Sequence, residues 1–511
     1  MTNLANSESP APAPVPDYDG GGTALLTDHY ELTMLQAALH SGAAHRRAVF
    51  EVFARHLPHG RRYGVVAGTG RVLDAIERFT FGADELSFLR DSGIVDEATL
   101  RYLSSYRFGG NVWGYAEGDM YFPGSPILVV EGTFAEAVLL ETVVLSVMNH
   151  DCAVASAASR MVSAAGGRSL IEMGSRRTHE EAAVAAARAA YIAGFDSTSN
   201  LAARRRYGVP SGGTAAHAFT LVHDSEKDAF AAQLSSLGPG TTLLVDTFDV
   251  ESAVRTAVAL AGDSLGAVRV DSGDLAAVGF TVRQLLDSLG ATSTRIILTG
   301  DLDEYSIASL GVAPVNGYGV GTSLVTGSGA PTAALVYKLV ARSDGSSPNL
   351  RPVAKLSVGK PGRGGRKWAV RQRSDGIAHT ERIVLTPPSP PDSDRMVLRE
   401  LVRAGQVVGR EPLSTARSRH AAALAELPPY ALQLSRGYPA IPTVFDTDGD
   451  EDLQVAWPYG HRLLRIRARA EIAGRAGPDP GAARVGADRQ RGGGAARLRD
   501  RGDREQPCVQ R

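Results

Sequence analysis

The spacing of apolar positions along this chain changes character twice. From Thr23 to about Leu140 it is mixed. "LTDHYELTMLQAALHSG" predicts a helix, "AVFEVFARHL" a strand, the stretch around Arg71 to Phe79 helices, and "PGSPILVVEGTF" extended structure. Beyond this, short apolar runs alternate regularly with helical stretches. "SLIEM", "GFDSTS", "GGTAAHAF", "TTLLVDT", "GAVRVDS", "TRIILTG" and "VNGYGVGT" are separated for the most part by segments such as "LAARRRYG", "SEKDAFAAQLSSLG" and "DLAAVGFTVRQLLDSLG". Thr178 and Glu181 have the spacing of a capping box ahead of the Ala-rich run to Ala193. Strands that alternate with helices lie parallel, and seven or so in succession predict a closed or nearly closed β/α barrel. From Ala333 the pattern turns β-rich, with "AALVYKLVAR", a Gly/Arg turn "GKPGRGGRKW" and an extended stretch from Glu381 to Leu385.

The fold expected is therefore α/β: an irregular, TIM-like β/α barrel over 141–332, with a smaller α+β domain built from 23–140 and 333–445. Residues 1–22, rich in Pro, Ala and Gly, are expected to form a disordered arm. Residues 446–511 are expected to be a disordered, low-complexity tail rich in Arg, Gly and Ala.

Composition narrows the function more by exclusion than by indication. The 511 residues carry 54 Lys+Arg against 55 Asp+Glu, so no global field recruits nucleic acid or membrane lipid, and any anionic partner must be held locally. Cys152 and Cys508 match neither a disulfide framework nor a zinc spacing, which suits a reducing cytoplasm. The longest apolar run, Ile127 to Met148, is interrupted by Glu131, Glu136 and Glu141. It reads as a strand entering an amphipathic helix, so no membrane partner is expected.

Candidate chemistry collects where the barrel reading puts it, at the carboxyl ends of strands. These ends carry Glu172 with Arg176 and Arg177; Asp196 to Asn200; Thr214 and His217; Asp246 and Thr247; Arg269, Asp271, Ser272 and Asp274; Gly300 and Asp301; and Gly319, Gly321 and Thr322. In "VRVDSGDL", Arg269 and Asp271 stand two apart and project to one face of a strand. Such a pair can fork onto phosphoryl oxygens while accepting from sugar hydroxyls, or form a structural ion pair. Glycines in "TGDLDEY" and "NGYGVGTS" allow backbone N–H groups to approach a phosphate, or simply make turns.

Taken in order, "TDHYELTM", "EMGSRRTHE", "SNLAARRRYGVPSGGTAAHAF", "VRVDSGDL", "LTGDLDEY" and "GYGVGTSL" resemble the nicotinate phosphoribosyltransferases, type II phosphoribosyltransferases of NAD salvage, over roughly 23–443. The resemblance implies transfer of phosphoribose from phosphoribosyl pyrophosphate to nicotinate, with Mg²⁺ and coupled ATP hydrolysis, in a homodimer with shared active sites. It implies that ATP phosphorylates His217 and that Arg269 and Asp271 grip ribose and pyrophosphate. Tyr30 would stack on the pyridine across the dimer, and Arg176 would lie near the nicotinate. Gly300, Asp301, Gly319, Gly321 and Thr322 would cradle the 5′-phosphate. No residue is assigned as a protein ligand of the metal. Met173 stands where many relatives carry Phe, and Asp196 is a carboxylate near the expected pocket, so Ser197 or Ser199 is expected to face the substrate instead. A nicotinamide or quinolinate phosphoribosyltransferase, or a non-catalytic phosphate-binding homologue, are the alternatives.

Overall fold

An Asp-Gly pair shows how local chemistry sets the sheets. Asp375 and Gly376 both adopt positive φ and close a two-residue turn between strands Trp368–Ser374 and Ile377–Val384, as a right-twisted hairpin requires. In this computed structural model the described residues are 22–345, 347, 349–355, 362–446 and the strand Gln454–Val455. The expected arm and tail therefore lie, but for Gly22, Asp446 and that strand, outside the described residues, as does Cys508.

The hairpin belongs to a five-stranded sheet that also holds Arg395–Met396, Thr443–Phe445 and Gln454–Val455. A separate seven-stranded sheet interleaves the two ends of the chain. Arg47–Ala54, Leu128–Thr133 and Asn111–Tyr115 form its centre, flanked on one side by Leu335–Ser343 and on the other by Leu398–Arg403. The N-terminal and C-terminal segments thus share a sheet. Arg47–Ala54 is buried along almost its whole length, including Glu51, whose carboxylate is neutralised by Lys367 Nζ at 2.9 Å.

The parallel strands are β1 (Ser169–Glu172), β2 (Ser197–Thr198), β3 (Thr242–Leu244), β4 (Ala267–Val270), β5 (Arg295–Gly300) and β6 (Gly317–Val320), in the spatial order β2-β1-β6-β5-β4-β3. The last strand pairs with the first, from Gly317 beside Ser169 to Val320 beside Glu172, so the sheet curls toward closure. It does not close. No pairing joins β2 to β3, and the expected barrel of seven or so strands is a six-stranded half-barrel. The missing strand is "GGTAAHAF". Ser211 makes a single bridge to Thr198, and the chain then runs as a loop into a short helix, His217–Leu221. Two glycines and an Ala-rich run offer few side chains to a pleated surface, which explains the failure. The capping box also differs. Helix Glu180–Ile192 starts later than expected and is capped by His179, whose Nδ1 accepts the Glu181 N–H at 3.3 Å.

Helix α1 (Glu141–Ala165) has 25 residues and links two hydrophobic cores. Val143, Val144 and Met148 pack into the core of the seven-stranded sheet, while Val154, Ala158 and Met161 pack into that of the parallel strands. The helical stretch Phe134–Ala165 is long and apolar enough to cross a membrane, but 61% of its most apolar window is buried within the protein. Its apolarity is explained by serving both cores. The described residues before the tail form one unit, in which two cores share this helix. Cys152, on this helix, is buried and unpaired, and burial pushes its thiol well up.

Candidate active site

Parallel strands send the following loops to one rim, and β3, β4 and β5 bring the most polar of these together. Arg269, the third residue of β4, spreads its guanidinium over four neighbours. Nε donates to Thr299 Oγ1 at 2.8 Å, Nη1 to Thr214 Oγ1 at 3.0 Å and the Ala215 carbonyl at 3.5 Å, and Nη2 to Asp271 Oδ1 at 2.8 Å. Thr299 in turn donates a short bond to the same Asp271 oxygen. The backbone N–H of Asp271 and the hydroxyl of Ser272 both donate to Asp246 Oδ2, at 2.9 and 2.7 Å. The other oxygen, Asp246 Oδ1, is buried without a hydrogen-bond partner and lies 4.0 Å from His217 Nε2. His217 Nδ1 faces Thr247 Oγ1 at 3.5 Å, and the imidazole is 41% exposed.

Three expected site residues, His217, Arg269 and Asp271, therefore share one network with Asp246 at its centre. Burial pushes the Asp271 carboxyl up, but hydrogen bonds from Thr299 and Arg269 and the charges of Arg269 and His217 outweigh it and hold the group below the usual carboxylate range.

The remaining expected residues surround this cluster less tightly. Gly300 ends β5 with φ +141°, a conformation only glycine adopts easily, and a Cβ there would stand 3.5 Å from the Asp271 carbonyl. Gly319 is buried within β6, where a Cβ would meet Thr299 Cγ2 at 2.5 Å and Met173 Sδ at 2.7 Å. Its lack of a side chain makes room for both. Gly321 is half-buried and precedes the short helix Thr322–Val325, whose first residue is exposed, as is Asp301 after β5.

Arg176 and Arg177 are exposed in the loop after β1, and Ser199 is exposed after β2. Those two loops are stitched together from below. The buried Glu172 carboxylate accepts from the Gly174 N–H and the Thr198 hydroxyl, Ser199 N–H donates to the Glu172 carbonyl at 2.8 Å, and Asn200 Nδ2 donates to Ser175 Oγ at 3.0 Å. Burial raises Glu172, which has no cation beside it.

Asp196 faces elsewhere. Its carboxylate accepts from the Leu170 N–H at 3.1 Å and from Arg417 Nη2 at 3.0 Å, on helix Leu413–Ala425. Tyr30 is not brought to the cluster within this chain. It sits on helix His29–Ser41, 45% exposed, with burial and the neighbouring Glu141 raising its hydroxyl to about 12.

Of the residues in the network, Asp246, Thr214, Thr247 and Ser272 were named at strand ends without a role, and Thr299 was not singled out. Asp246 ends "TTLLVDT" as Asp271 ends "VRVDS", and that repeated strand-end aspartate was the available signal. Thr299 gave none, since a threonine inside "TRIILTG" reads as a strand former.

The chain is similar to known proteins along most of its length. Residues 25–149 match the family described as nicotinate phosphoribosyltransferase (NAPRTase) N-terminal domain. The chain is 59% identical over 430 residues to nicotinate phosphoribosyltransferase pncB1 of Mycobacterium tuberculosis, covering 82% of this chain and 94% of that protein. It is 35% identical over 326 residues to nicotinate phosphoribosyltransferase of Bacillus subtilis, covering 62% of this chain and 66% of that one. Its fold resembles the crystal structure of human nicotinic acid phosphoribosyltransferase with a TM-score of 0.71 at 26% identity, over 82% of this chain and 97% of the human one.

Proposed function

This chain belongs to the nicotinate phosphoribosyltransferase family, and on that premise we propose that it transfers phosphoribose from phosphoribosyl pyrophosphate to nicotinate, forming nicotinate mononucleotide and pyrophosphate in NAD salvage. The observation that carries the reading is the single network of His217, Asp246, Asp271 and Arg269 at the strand ends.

The pyridine nitrogen has a free lone pair, so the reaction needs no strong base. It needs management of charge: as the C1–O bond stretches, the ribose gains oxocarbenium character and the leaving pyrophosphate gains negative charge. Arg269, held by hydrogen bonds to Thr299, Thr214, Ala215 and Asp271, is a fixed cation for that charge and needs little reorganisation in the transition state. Asp271, kept ionised by its neighbours, has Oδ2 available for ribose hydroxyls. Mg²⁺ suits the unspent oxygen Asp246 Oδ1, because it takes one or two carboxylates and completes its shell from phosphate and water. When bound, it would neutralise charge on the pyrophosphate.

ATP coupling is read from His217. A carboxylate beside Nε2 favours the tautomer protonated there and leaves the Nδ1 lone pair to attack the γ-phosphorus, releasing ADP. Gly212 and Gly213, exposed with nothing near their Cβ positions, give that loop freedom to close. Arg176 and Ser199 are assigned to the nicotinate, with Gly300, Asp301, Gly319, Gly321 and Thr322 around the 5′-phosphate. The engagement of Asp196 by Arg417 removes the carboxylate that would have favoured the amide substrate. The exposed ring of Tyr30 is assigned to the neighbouring subunit of a cytoplasmic homodimer, stacked on the pyridine.

The deciding experiment is nucleotide synthesis from nicotinate and phosphoribosyl pyrophosphate, with and without ATP, in wild type and His217→Ala. Wild type is expected to be accelerated by ATP and to prefer nicotinate over nicotinamide. The variant should retain slow synthesis that ATP no longer stimulates. An amide preference, or full ATP stimulation of the variant, would overturn the assignment.

A further inference from the structure

We propose that Thr299 is a positioning residue for phosphoribosyl transfer, its buried hydroxyl fixing the directions of both Arg269 and Asp271. The inference rests on the transferase reading above. A threonine hydroxyl has one proton and two lone pairs. Here the proton goes to Asp271 Oδ1, the nearer of two acceptors, the other being the Val270 carbonyl at 3.4 Å, and a lone pair receives Arg269 Nε–H at 2.8 Å. The residue is 2% exposed, so water does not compete for either bond. It lies opposite Gly319 across β5 and β6, and its methyl group fills the space that a Cβ at Gly319 would take.

The hydroxyl matters because of what arginine and aspartate do when left alone. A guanidinium and a carboxylate this close favour a bidentate, fork-to-fork pair that consumes both carboxylate oxygens. Thr299 occupies Nε and shares Oδ1, so Arg269 reaches Asp271 through Nη2 alone and Nη1 goes to Thr214. Asp271 Oδ2 is left out of the arginine pair, on a side chain that is 30% exposed. Thr299 therefore keeps the pair in the open arrangement that a ribose and a phosphoryl group can enter.

Thr299→Val keeps the shape and removes the hydroxyl, whereas Thr299→Ser keeps the hydroxyl. In the valine variant, KM for phosphoribosyl pyrophosphate is expected to rise roughly 10- to 100-fold, the worth of one hydrogen bond to a charged group. KM for nicotinate should stay within about twofold. The serine variant should restore the wild-type KM for phosphoribosyl pyrophosphate. Where turnover is too low to follow, the rise in melting temperature caused by phosphoribosyl pyrophosphate, read on the folded fraction, should shrink in the valine variant and persist in the serine variant.

Valine kinetics within twofold of wild type, serine as impaired as valine, or an equal rise in both KM values would each overturn the proposal. An inactive wild type would instead sink the transferase reading, and the inference with it.

Discussion

Two clusters in this protein are built from the same residue types and differ in what they leave over. Away from the rim, Arg371 is fully buried between Glu381 and Asp119, which are almost as fully enclosed. Its Nε and Nη2 donate to Glu381 Oε2, Nη2 also to the Met120 carbonyl at 2.8 Å, and Nη1 to Asp119 at 3.4 Å. The second Glu381 oxygen is taken by the hydroxyls of Tyr115 and Ser125, and Asp119 receives Arg395 on both oxygens. Only Arg395 Nε is left without a partner in this group. At the rim, by contrast, Arg269 and Asp271 meet at a similar distance, yet Asp246 Oδ1 is unspent and His217 is 41% exposed. An arginine beside a carboxylate thus says little about function. Unused hydrogen-bonding capacity within reach of solvent says more, because a substrate can bind only to what the fold has not already satisfied.

The comparison is broken most severely through the closed cluster. Arg371→Met leaves the buried Glu381 carboxylate without a cation, while Asp119 keeps Arg395, and is expected to lower stability by about 3–5 kcal/mol in urea denaturation, while the folded fraction keeps wild-type turnover. At the rim the two effects should exchange places. Arg269→Ala is expected to lower kcat/KM by roughly 10²–10³, about 2.7–4 kcal/mol of transition-state stabilisation, with a loss of stability near 1 kcal/mol. An Arg371 variant that folds well but turns over slowly, or an Arg269 variant that unfolds without a kinetic defect, would erase the distinction.

What the sequence disclosed follows the same division. The strand-and-helix alternation exposes all of β1–β6, and the spacing of Arg269 and Asp271 puts them on one face, because period and offset are local properties. The closed cluster was invisible. Arg371 and Asp119 stand 252 positions apart, and nothing in "WAVRQRS" marks its first arginine as buried. The misread strand "GGTAAHAF" failed for a related reason. It follows a strand-helix rhythm whose continuation depends on whether β2 and β3 meet, which is a property of the whole sheet. Glu31 shows a third kind of miss. Read only as part of a helical pattern, it is fully buried, and its carboxylate accepts the Thr142 N–H at 2.9 Å and hydroxyl at 2.6 Å, capping α1 from another helix.

A smaller effect sharpens the comparison from the closed side. His420, 2% exposed on helix Leu413–Ala425, meets Ser159 Oγ at 2.9 Å, and Ser159 meets the Tyr63 hydroxyl at 3.0 Å. Burial, reinforced by the nearby charge of Arg417, lowers the imidazole from its usual 6.5 to about 4. The native state therefore holds His420 neutral while the unfolded chain takes up a proton below about pH 6.5, so stability is full above that pH and falls as acid is added toward pH 4. By pH 5.5 this one group should cost about 1.4 kcal/mol. In His420→Gln, which keeps a hydrogen-bonding side chain without the titration, that part of the acid sensitivity should vanish from urea midpoints measured between pH 7.5 and 5.5. The rate profile of the folded enzyme should be the same in both proteins, since the rim network does not include His420. A shift in the rate profile without a change in acid stability would mean that this closed chain communicates with the rim, and the separation of the two kinds of network would fail.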